Sequence, residues 1–223
     1  MKNILVPIDF SKASRNAAKY AVSLAKAFDA TVTLINVVSP PVVIDDSILA
    51  SVMITQAEVL ENNKQLMHEE VEALSKGYSG KITGVVQEGF PAEMIQEMAK
   101  EKHADLIVMG MKGKGRSNSV FGSTVTAIVR QSSIPVLIIP ENASYQSIDT
   151  ITFATDFDAG TGNDSYSLLM DIAGKYNSFI QILNVQKKGK PMSNNEFIGK
   201  MSTHHSFEAT KHIFNTIEDA NVI

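Results

Sequence analysis

The sequence contains no cysteine among its 223 residues. A disulfide framework, a thiolate metal site and a cysteine nucleophile are therefore excluded. An excess of positive charge is also missing, because 20 Lys and Arg residues are outnumbered by 24 Asp and Glu residues and the net charge is −4. A general nucleic-acid binder usually needs a basic face, so we expect no nucleic-acid partner.

Long hydrophobic runs are absent as well. The apolar run that starts at Ile4 is too short for the core of a signal peptide. The later run at residues 134–140 (IPVLIIP) is far below the roughly 18 to 20 residues that a membrane helix needs. These absences predict a cytoplasmic protein without membrane contact. The remaining composition, 44% hydrophobic and 20% charged, is typical of a globular protein with a sizeable core.

Short aliphatic runs alternate with helical patterns along the first 140 residues. Strands are predicted at 2–8, 31–38, 81–87, 104–109 and 133–140, and helices after an N-cap at Ser11 and at 55–76, 91–102 and 125–131, while residues 42–56 stay unassigned. This alternation predicts an α/β fold with a doubly wound, five-stranded parallel sheet of the nucleotide-binding, Rossmann-like kind. Ligands bind such sheets at the carboxyl ends of strands, where we expect Asp9, Val37 and Gly110.

Part of this pattern occurs twice in the chain. ITFATDF (residues 151–157) echoes ILVPIDF (residues 4–10), and IQILNV (residues 180–185) echoes VTLINV (residues 32–37) at nearly the same spacing. We therefore predict a complete domain at 1–141 and a partial second repeat at 148–223. The second unit is expected to lack the counterparts of strands three to five and of the glycine-rich loop. Either the protein is naturally short or this is a fragment.

A glycine-rich segment follows the fourth predicted strand. Two common phosphate motifs fit it poorly. The pattern GxGxxG has Asn118 in place of its third glycine, and the P-loop pattern has Arg116 in place of its phosphate-binding lysine. A wider interpretation fits better: Gly110 and Gly113 allow the backbone to approach a ligand, and residues 122–124 open a helix whose first N–H groups can bind phosphate.

In that interpretation the segment GMKGKGRSNSVFGS (residues 110–123) resembles the nucleotide-binding signature of the universal stress protein family, G-xx-G-x9-G-[ST]. Eight residues separate the last two glycines here, where the signature has nine. The resemblance extends, in order and spacing, to ILVPIDFS, LINVV, ADLIVMG and IPVLIIP. It covers 1–141 as a full unit and 148–223 as a truncated second unit, as in tandem members of the family.

The resemblance implies a bound ATP, with or without Mg²⁺ or Mn²⁺. Asp9 would lie near the ribose and phosphates or their metal, and Val37 would contact adenine through its backbone. The full set of implied binding residues is Pro7, Ile8, Asp9, Val37, Met109, Gly110, Gly113, Lys114, Gly122, Ser123 and Thr124. In the family the last strand of one unit tends to pair with that of another, so we also expect a homodimer through residues 136–139.

Each candidate residue also has an ordinary structural interpretation. Asp9 is common at caps and turns, and Gly110 suits a ligand-free turn between a strand and a helix. The basic residues at 112, 114 and 116 form either a lid over phosphate or a solvated loop tip. His204, Glu208 and His212 would share one face of a helix, but no fourth ligand is identified, so we expect no metal site.

Three functions remain open from the sequence. An ATP-binding regulatory or signalling module of the stress response, with little or no hydrolysis, is favoured because no catalytic base is evident. The alternatives are an interaction protein whose nucleotide site is degenerate and a slow ATPase. No catalytic residue is assigned, and enzyme activity beyond weak hydrolysis is not expected.

Overall fold

The structure, a computed structural model, describes residues 1–41, 49–112, 121–154, 163–186 and 212–218. Strands and helices alternate through most of the chain, in the order β1 (Asn3–Pro7), α1 (Lys12–Phe28), β2 (Thr31–Val38), α2 (Leu49–Ser75), β3 (Ile82–Glu88), α3 (Pro91–Glu101), β4 (Leu106–Gly110), α4 (Ser123–Gln131), β5 (Val136–Ile139), β6 (Thr150–Ala154), α5 (Asn163–Tyr176), β7 (Phe179–Gln186) and β8 (His212–Glu218). Contacts divide the chain into two compact units, Met1–Tyr145 and Gln146–Ile223.

The first unit contains the predicted five-stranded parallel sheet. Its strand order is β3-β2-β1-β4-β5, and every neighbouring pair is parallel. The chain therefore winds outward from β1 in one direction through β2 and β3 and in the other through β4 and β5. The point where the order reverses lies between β1 and β4, and such a point leaves a crevice at the carboxyl ends of the two strands.

Helix α1 owes its position to its sequence. The Ser11 side chain accepts a hydrogen bond from the Ser14 N–H and caps the helix, as predicted. Asp29 adopts a left-handed conformation and ends it. The buried face is rich in alanine, including Ala17, Ala18 and Ala21, and these short side chains let the helix axis approach the sheet closely.

Both faces of the first sheet are covered. Helices α1 and α2 contact the strands on one face, while Ile95 and Met98 of α3 and Ile128 of α4 pack with Leu5 and Ile35 on the other. Successive residues of β1 therefore alternate between two buried layers, which is why the strand is a continuous aliphatic run rather than an alternating one. Burying each such side chain contributes about 1.5–3 kcal/mol.

The second unit has a three-stranded sheet in the order β6-β7-β8, again with parallel pairs. The register matches that of the first unit, since Ile151 pairs with Ile180 in the way that Ile4 pairs with Val32. The prediction that the second unit lacks a third strand is wrong, because β8 pairs with β7 along its length. The connection from β7 to β8 is shorter than that from β2 to β3, so a prediction based on the spacing of the first unit missed this strand.

Two further differences from the sequence predictions concern helices. Helix α2 begins at Leu49, earlier than the predicted start at Thr55. His212 opens strand β8, so the helical face proposed for His204, Glu208 and His212 does not hold there, and the other two residues lie outside the described residues. The described part of the chain contains no group of three or more His, Cys, Asp or Glu side chains placed to bind a metal ion. Within that part, no helix combines the length and the apolar character that crossing a membrane requires.

Candidate functional site

A cavity of about 260 Å³ opens at the carboxyl ends of β1, β2 and β4, beside the switch point of the first sheet. This volume is just below the range of small-molecule sites, ~300–1,000 Å³. The lining residues come from these strand ends, from the N-terminal parts of α1, α3 and α4, and from the segments after β4 and before α4. They are Pro7, Ile8, Asp9, Ser14, Ile35, Asn36, Val37, Pro91, Ile95, Met109, Gly110, Lys112, Phe121, Gly122, Ser123, Thr124 and Val125.

Nine of the eleven predicted binding residues line this cavity: Pro7, Ile8, Asp9, Val37, Met109, Gly110, Gly122, Ser123 and Thr124. The other two, Gly113 and Lys114, lie outside the described residues. The structure thus brings together residues from four separate segments of the chain. Lys112, which the sequence left as either a lid or a solvated tip, is exposed and borders the cavity.

The turn after β1 fixes Asp9 by several hydrogen bonds. The Asp9 carboxylate accepts a bond from the Ser11 N–H at 3.0 Å, and the Asp9 N–H donates to Ser14 Oγ at 3.3 Å. Ser14 Oγ in turn donates to the Ser11 carbonyl at 3.1 Å. These hydrogen bonds agree with the ordinary interpretation of Asp9 as a turn residue, but they do not exclude a second role. The side chain is half-buried and borders the cavity, so the same geometry holds a carboxylate there.

Phe10 occupies an unusual conformation in this turn. Its φ is 62°, in the left-handed region, although its side chain is bulky and only 6% exposed. The other described non-glycine residues with positive φ, Asp29, His103 and Asn177, follow the ends of helices, whereas Phe10 precedes one. Such a conformation costs about 1–3 kcal/mol and persists only where neighbours hold it. The buried ring and the bonds around Asp9 hold it here.

The backbone of Val37 points toward the cavity. Peptide groups alternate between the two edges of a strand. The Ile35 carbonyl accepts from the Ile8 N–H at 2.8 Å on the β1 side, and the Val38 carbonyl accepts from the Gly89 N–H at 3.0 Å on the β3 side. Val37 therefore directs its N–H and C=O groups to the β1 side. Because β1 has ended at Pro7, these groups face the cavity rather than a neighbouring strand.

Gly110 is required by packing inside the protein. A Cβ atom at this position would lie 2.8 Å from the backbone carbon and oxygen of Ala13 in α1 and 3.1 Å from the Ser14 nitrogen. The absent side chain thus lets β4 approach the first turn of α1, which brings the two cavity walls together. The sequence suggested a close approach of this backbone to a ligand, and the structure shows a close approach to a helix.

The first turn of α4 presents backbone donors to the cavity. Gly122 is the N-cap and has no side chain to accept a bond from the first N–H groups of the helix. Those groups belong to Ser123, Thr124 and Val125, and they have no acceptor within the helix. The positive end of the helix dipole adds to their attraction for an anion. Lys112 also lines the cavity, and its neighbour Met111 accepts a bond from the Gly122 N–H at 3.2 Å. This corner suits a phosphate or carboxylate.

A buried amide connects the site to α2. Asn36 is 4% exposed, and its Nδ2 donates to the Ile8 carbonyl at 2.7 Å. Its Oδ1 accepts from Asn63 Nδ2 of α2 at 2.9 Å. Sequence reasoning missed this residue as a site residue, although a polar residue inside the run LINVV was a visible signal. Pro91 and Ile95 were missed because only the packing of α3 brings them to the cavity.

A second groove, of about 280 Å³, lies near the amino ends of β1, β2 and β3, where Asn3, Thr31 and Lys81 line it. Ligands of open α/β sheets bind at the opposite ends of the strands. The groove therefore does not compete with the cavity as the candidate site.

A doubly wound parallel sheet with a cavity at its switch point defines an α/β protein of the class that binds ligands at strand carboxyl ends. Residues 1–140 match the model of the universal stress protein family, and the chain belongs to that family. The match covers one domain. The residues that carried the resemblance, from the β1 run to the β5 run, all lie within it.

Individual relatives agree with this assignment. A universal stress protein of Methanocaldococcus jannaschii is 35% identical over 139 residues, which are 62% of this chain and 81% of that protein. The solved structure of the universal stress protein UspA from Lactobacillus plantarum has a TM-score of 0.58 and 25% identity, and the alignment covers 62% of this chain and 97% of that one. The solved structure of a universal stress protein from Archaeoglobus fulgidus has a TM-score of 0.71, and the alignment covers 98% of this chain and 79% of that one. The sequence identity is 16%, so this similarity shows the fold alone.

Two other solved universal stress proteins are described as complexes with cAMP and with dAMP. Their TM-scores of 0.45 and 0.44 are too low to carry any conclusion about the ligand of this chain.

Proposed function

We propose that the chain binds ATP or another adenine nucleotide in the switch-point cavity and acts as a regulatory module of the stress response. The observation that carries this proposal is the juxtaposition of three features in one cavity: an apolar inner wall, the Asp9 carboxylate, and the uncapped N-terminus of α4 beside Lys112. A base, a ribose and a phosphate chain require these three environments in turn.

The inner wall suits a flat ring. Ile35, Ile95 and Val125 are buried and line the cavity. Beside them, the Val37 peptide offers one donor and one acceptor. An adenine edge presents an amino donor next to a ring-nitrogen acceptor and so matches such a pair. The base would lie against these side chains with its edge toward Val37.

The phosphates would lie at the N-terminus of α4. Backbone N–H groups and the helix dipole favour anions there, and the hydroxyls of Ser123 and Thr124 add donors. Asp9 would then face the ribose hydroxyls or a Mg²⁺ or Mn²⁺ ion held between it and the phosphates. A single carboxylate fits this arrangement, because Mg²⁺ is commonly bound by one or two carboxylates together with substrate phosphates.

Equilibrium titration of the full chain with ATP and Mg²⁺ tests the proposal. We expect saturable binding below about 1 mM ATP, which corresponds to about −4.1 kcal/mol or tighter. An absence of saturable binding in that range would reject it and favour the alternative of an interaction protein with a degenerate site.

The phosphate corner has its own test. Lys112→Ala should weaken ATP binding while leaving adenosine binding unchanged, and the difference should shrink with added salt. Lys26→Ala is the matched control, since Lys26 is an exposed lysine in the last turn of α1, at the other end of that helix from the cavity. Equal losses for ATP and adenosine would place the phosphates elsewhere.

Little or no hydrolysis is proposed because Asp9 is the one carboxylate among the described lining residues, and no histidine is among them. A carboxylate that faces ribose or metal is not free to orient a water molecule. Turnover measured with pure protein should stay near the uncatalysed rate. Turnover that disappears in Asp9→Ala would instead favour the slow ATPase.

We further propose a homodimer through β5. This strand forms one edge of the five-stranded sheet and is mostly aliphatic. The Pro135 carbonyl accepts from Ile107 of β4, and the Ile139 carbonyl accepts from Met111, the residue after β4. The peptide groups of Val136 and Ile138 therefore point to the open edge. Val136→Pro removes one edge-facing N–H without removing a β4–β5 bond. Light scattering should show a dimer for the wild type and a monomer for this variant. A wild-type monomer at high concentration would contradict the proposal.

For the second unit we keep the proposal of a partial repeat of the first domain, with 1–141 and 148–223 as the two domains. The shared register of β1 with β2 and of β6 with β7 supports it. Limited proteolysis between these domains should release a first fragment that still binds ATP. A first fragment that loses nucleotide binding would contradict this division.

A further inference from the structure

We infer that Asn36 is a positioning residue for the nucleotide site, that it acts through Asp9, and that Asn63 ties helix α2 to the same site. This inference rests on the proposed function. It concerns how the Ile8–Asp9 peptide is held in place, and neither asparagine was assigned a role from the sequence.

The first observation is that Asn36 is a buried polar residue on an otherwise aliphatic face of β2. Its neighbours on the same face of β2, Leu34 and Val38, are buried aliphatic residues that face α1 and α2. A buried amide in such a layer is costly unless its polar atoms are satisfied, and an aliphatic residue would fill the space at lower cost. The amide therefore has a purpose other than packing.

The second observation is the direction of the hydrogen bonds. Asn63 Nδ2 donates to Asn36 Oδ1 at 2.9 Å, which fixes the orientation of the Asn36 amide. In that orientation Asn36 Nδ2 donates to the Ile8 carbonyl at 2.7 Å. The two bonds form a relay from α2, through β2, to the last peptide before Asp9.

The third observation is that the Ile8–Asp9 peptide is held at both ends. Asn36 binds its carbonyl, and Ser14 Oγ accepts its N–H at 3.3 Å. The next residue, Phe10, has the positive φ of 62°. A strained turn held from both sides sets the direction of its side chains closely, and the side chain so directed is the Asp9 carboxylate that borders the cavity.

Substitution of each asparagine by leucine tests the relay. Asn36→Leu keeps the branched shape of the side chain, with a somewhat larger volume, and removes both bonds, and we expect about tenfold weaker ATP binding. Asn63→Leu should produce a smaller loss in the same direction. Asn62→Leu is the matched control, because Asn62 is an exposed neighbour on the same helix, and its affinity should equal that of the wild type. Circular dichroism confirms folding, and binding is measured well below the unfolding temperature.

A double-mutant cycle separates positioning from a purely structural role. If Asn36 acts through Asp9, Asn36→Leu should have no further effect on ATP affinity in an Asp9→Ala background. Full additivity of the two losses would overturn the inference. Unchanged affinity in Asn36→Leu, with normal binding by the wild type, would also overturn it. An absence of binding by the wild type would instead reject the proposed function from which the inference starts.

Ser14 provides a second route if Asn36→Leu does not fold. Ser14→Ala removes the partner of the Asp9 N–H and should weaken ATP binding, again with no added effect in Asp9→Ala. Ser23→Ala is its control, since Ser23 Oγ also bonds a backbone carbonyl of α1, that of Lys19 at 3.1 Å, but far from the site. Equal affinities in the Ser14 and Ser23 variants would count against the inference.

Discussion

The two units of the chain begin in the same way and differ in what covers them. Each opens with a parallel strand–helix–strand element of the same register, β1-α1-β2 and β6-α5-β7. In the first unit Leu5 of β1 is fully buried under α3 and α4. The residue at the equivalent pairing position of β6, Thr152, is exposed, and its hydroxyl donates to Gln181.

This difference explains where a binding site can form. The walls of the cavity in the first unit include Ile95 of α3 and Val125 of α4, which belong to the layer that covers Leu5. In the described part of the second unit, α5 is the single helix, and it packs on the opposite face through Leu169 and Met170. In the first unit, the second covering layer thus supplies part of the cavity wall.

The largest effect on stability is expected at Leu5, which packs under the helix layer that distinguishes the first unit from the second. Leu5→Ala should destabilise the first unit by about 2–5 kcal/mol, because it leaves a cavity in a closely packed core. Thr152→Ala, the matched exposed position, should change stability by no more than about 0.5 kcal/mol. Urea unfolding followed by circular dichroism measures both. A large loss in Thr152→Ala would show that this face of the second unit is covered after all.

Nucleotide binding should increase the difference in stability between the two units. ATP at about 100 times its Kd should stabilise the first unit by about 2.7 kcal/mol, because it binds the folded state alone. Hydrogen exchange should slow in β1, β2, β4 and the first turn of α4, while β6 and β7 should exchange as before. Equal protection of both units would contradict a site confined to the first.

A smaller effect is expected at Gly110. Alanine there would press its Cβ against the α1 backbone at 2.8 Å, and neither backbone can move freely. We expect a loss of about 1–3 kcal/mol, typical of overpacking, measured by urea unfolding. Nucleotide affinity is then a poor guide to the role of this glycine. An unchanged stability would show that β4 and α1 separate easily.

The smallest effect should have the opposite sign. Gly174 lies within α5, and a Cβ there would meet nothing within 4 Å. Gly174→Ala should stabilise the second unit by about 0.5–1 kcal/mol, because alanine loses less conformational entropy in a helix. Thermal unfolding monitored in the second unit checks this. A destabilised variant would indicate a close neighbour at this position.

Local patterns predicted much of the first unit. The aliphatic runs placed all five strands to within a few residues, and the Ser11 cap placed the start of α1. The family resemblance supplied eleven candidate binding residues, and nine of them line the cavity. Those on β1, β2 and β4 lie together because strand ends in parallel sheets converge at one edge.

Prediction from the spacing of elements failed where the two units differ in the length of a connection. The third strand of the second unit, β8, was missed because its crossover is shorter than the corresponding one in the first unit. The sequence also left two interpretations of Gly110 open, contact with a ligand and a ligand-free turn. A glycine after a strand looks the same in sequence whether a ligand or a helix approaches it, and only the position of Ala13 distinguishes them.

The chain's own residues were enough to establish the strand–helix alternation, the caps and the family resemblance, because these depend on neighbours within a few positions. The partners of Asn36 were not accessible in this way. Its amide meets Ile8 and Asn63, which are distant in sequence and come together only when β1, β2 and α2 pack. The same packing turns Asp9 from a turn residue into a carboxylate held at the mouth of a cavity, since hydrogen bonds between separate elements set its direction.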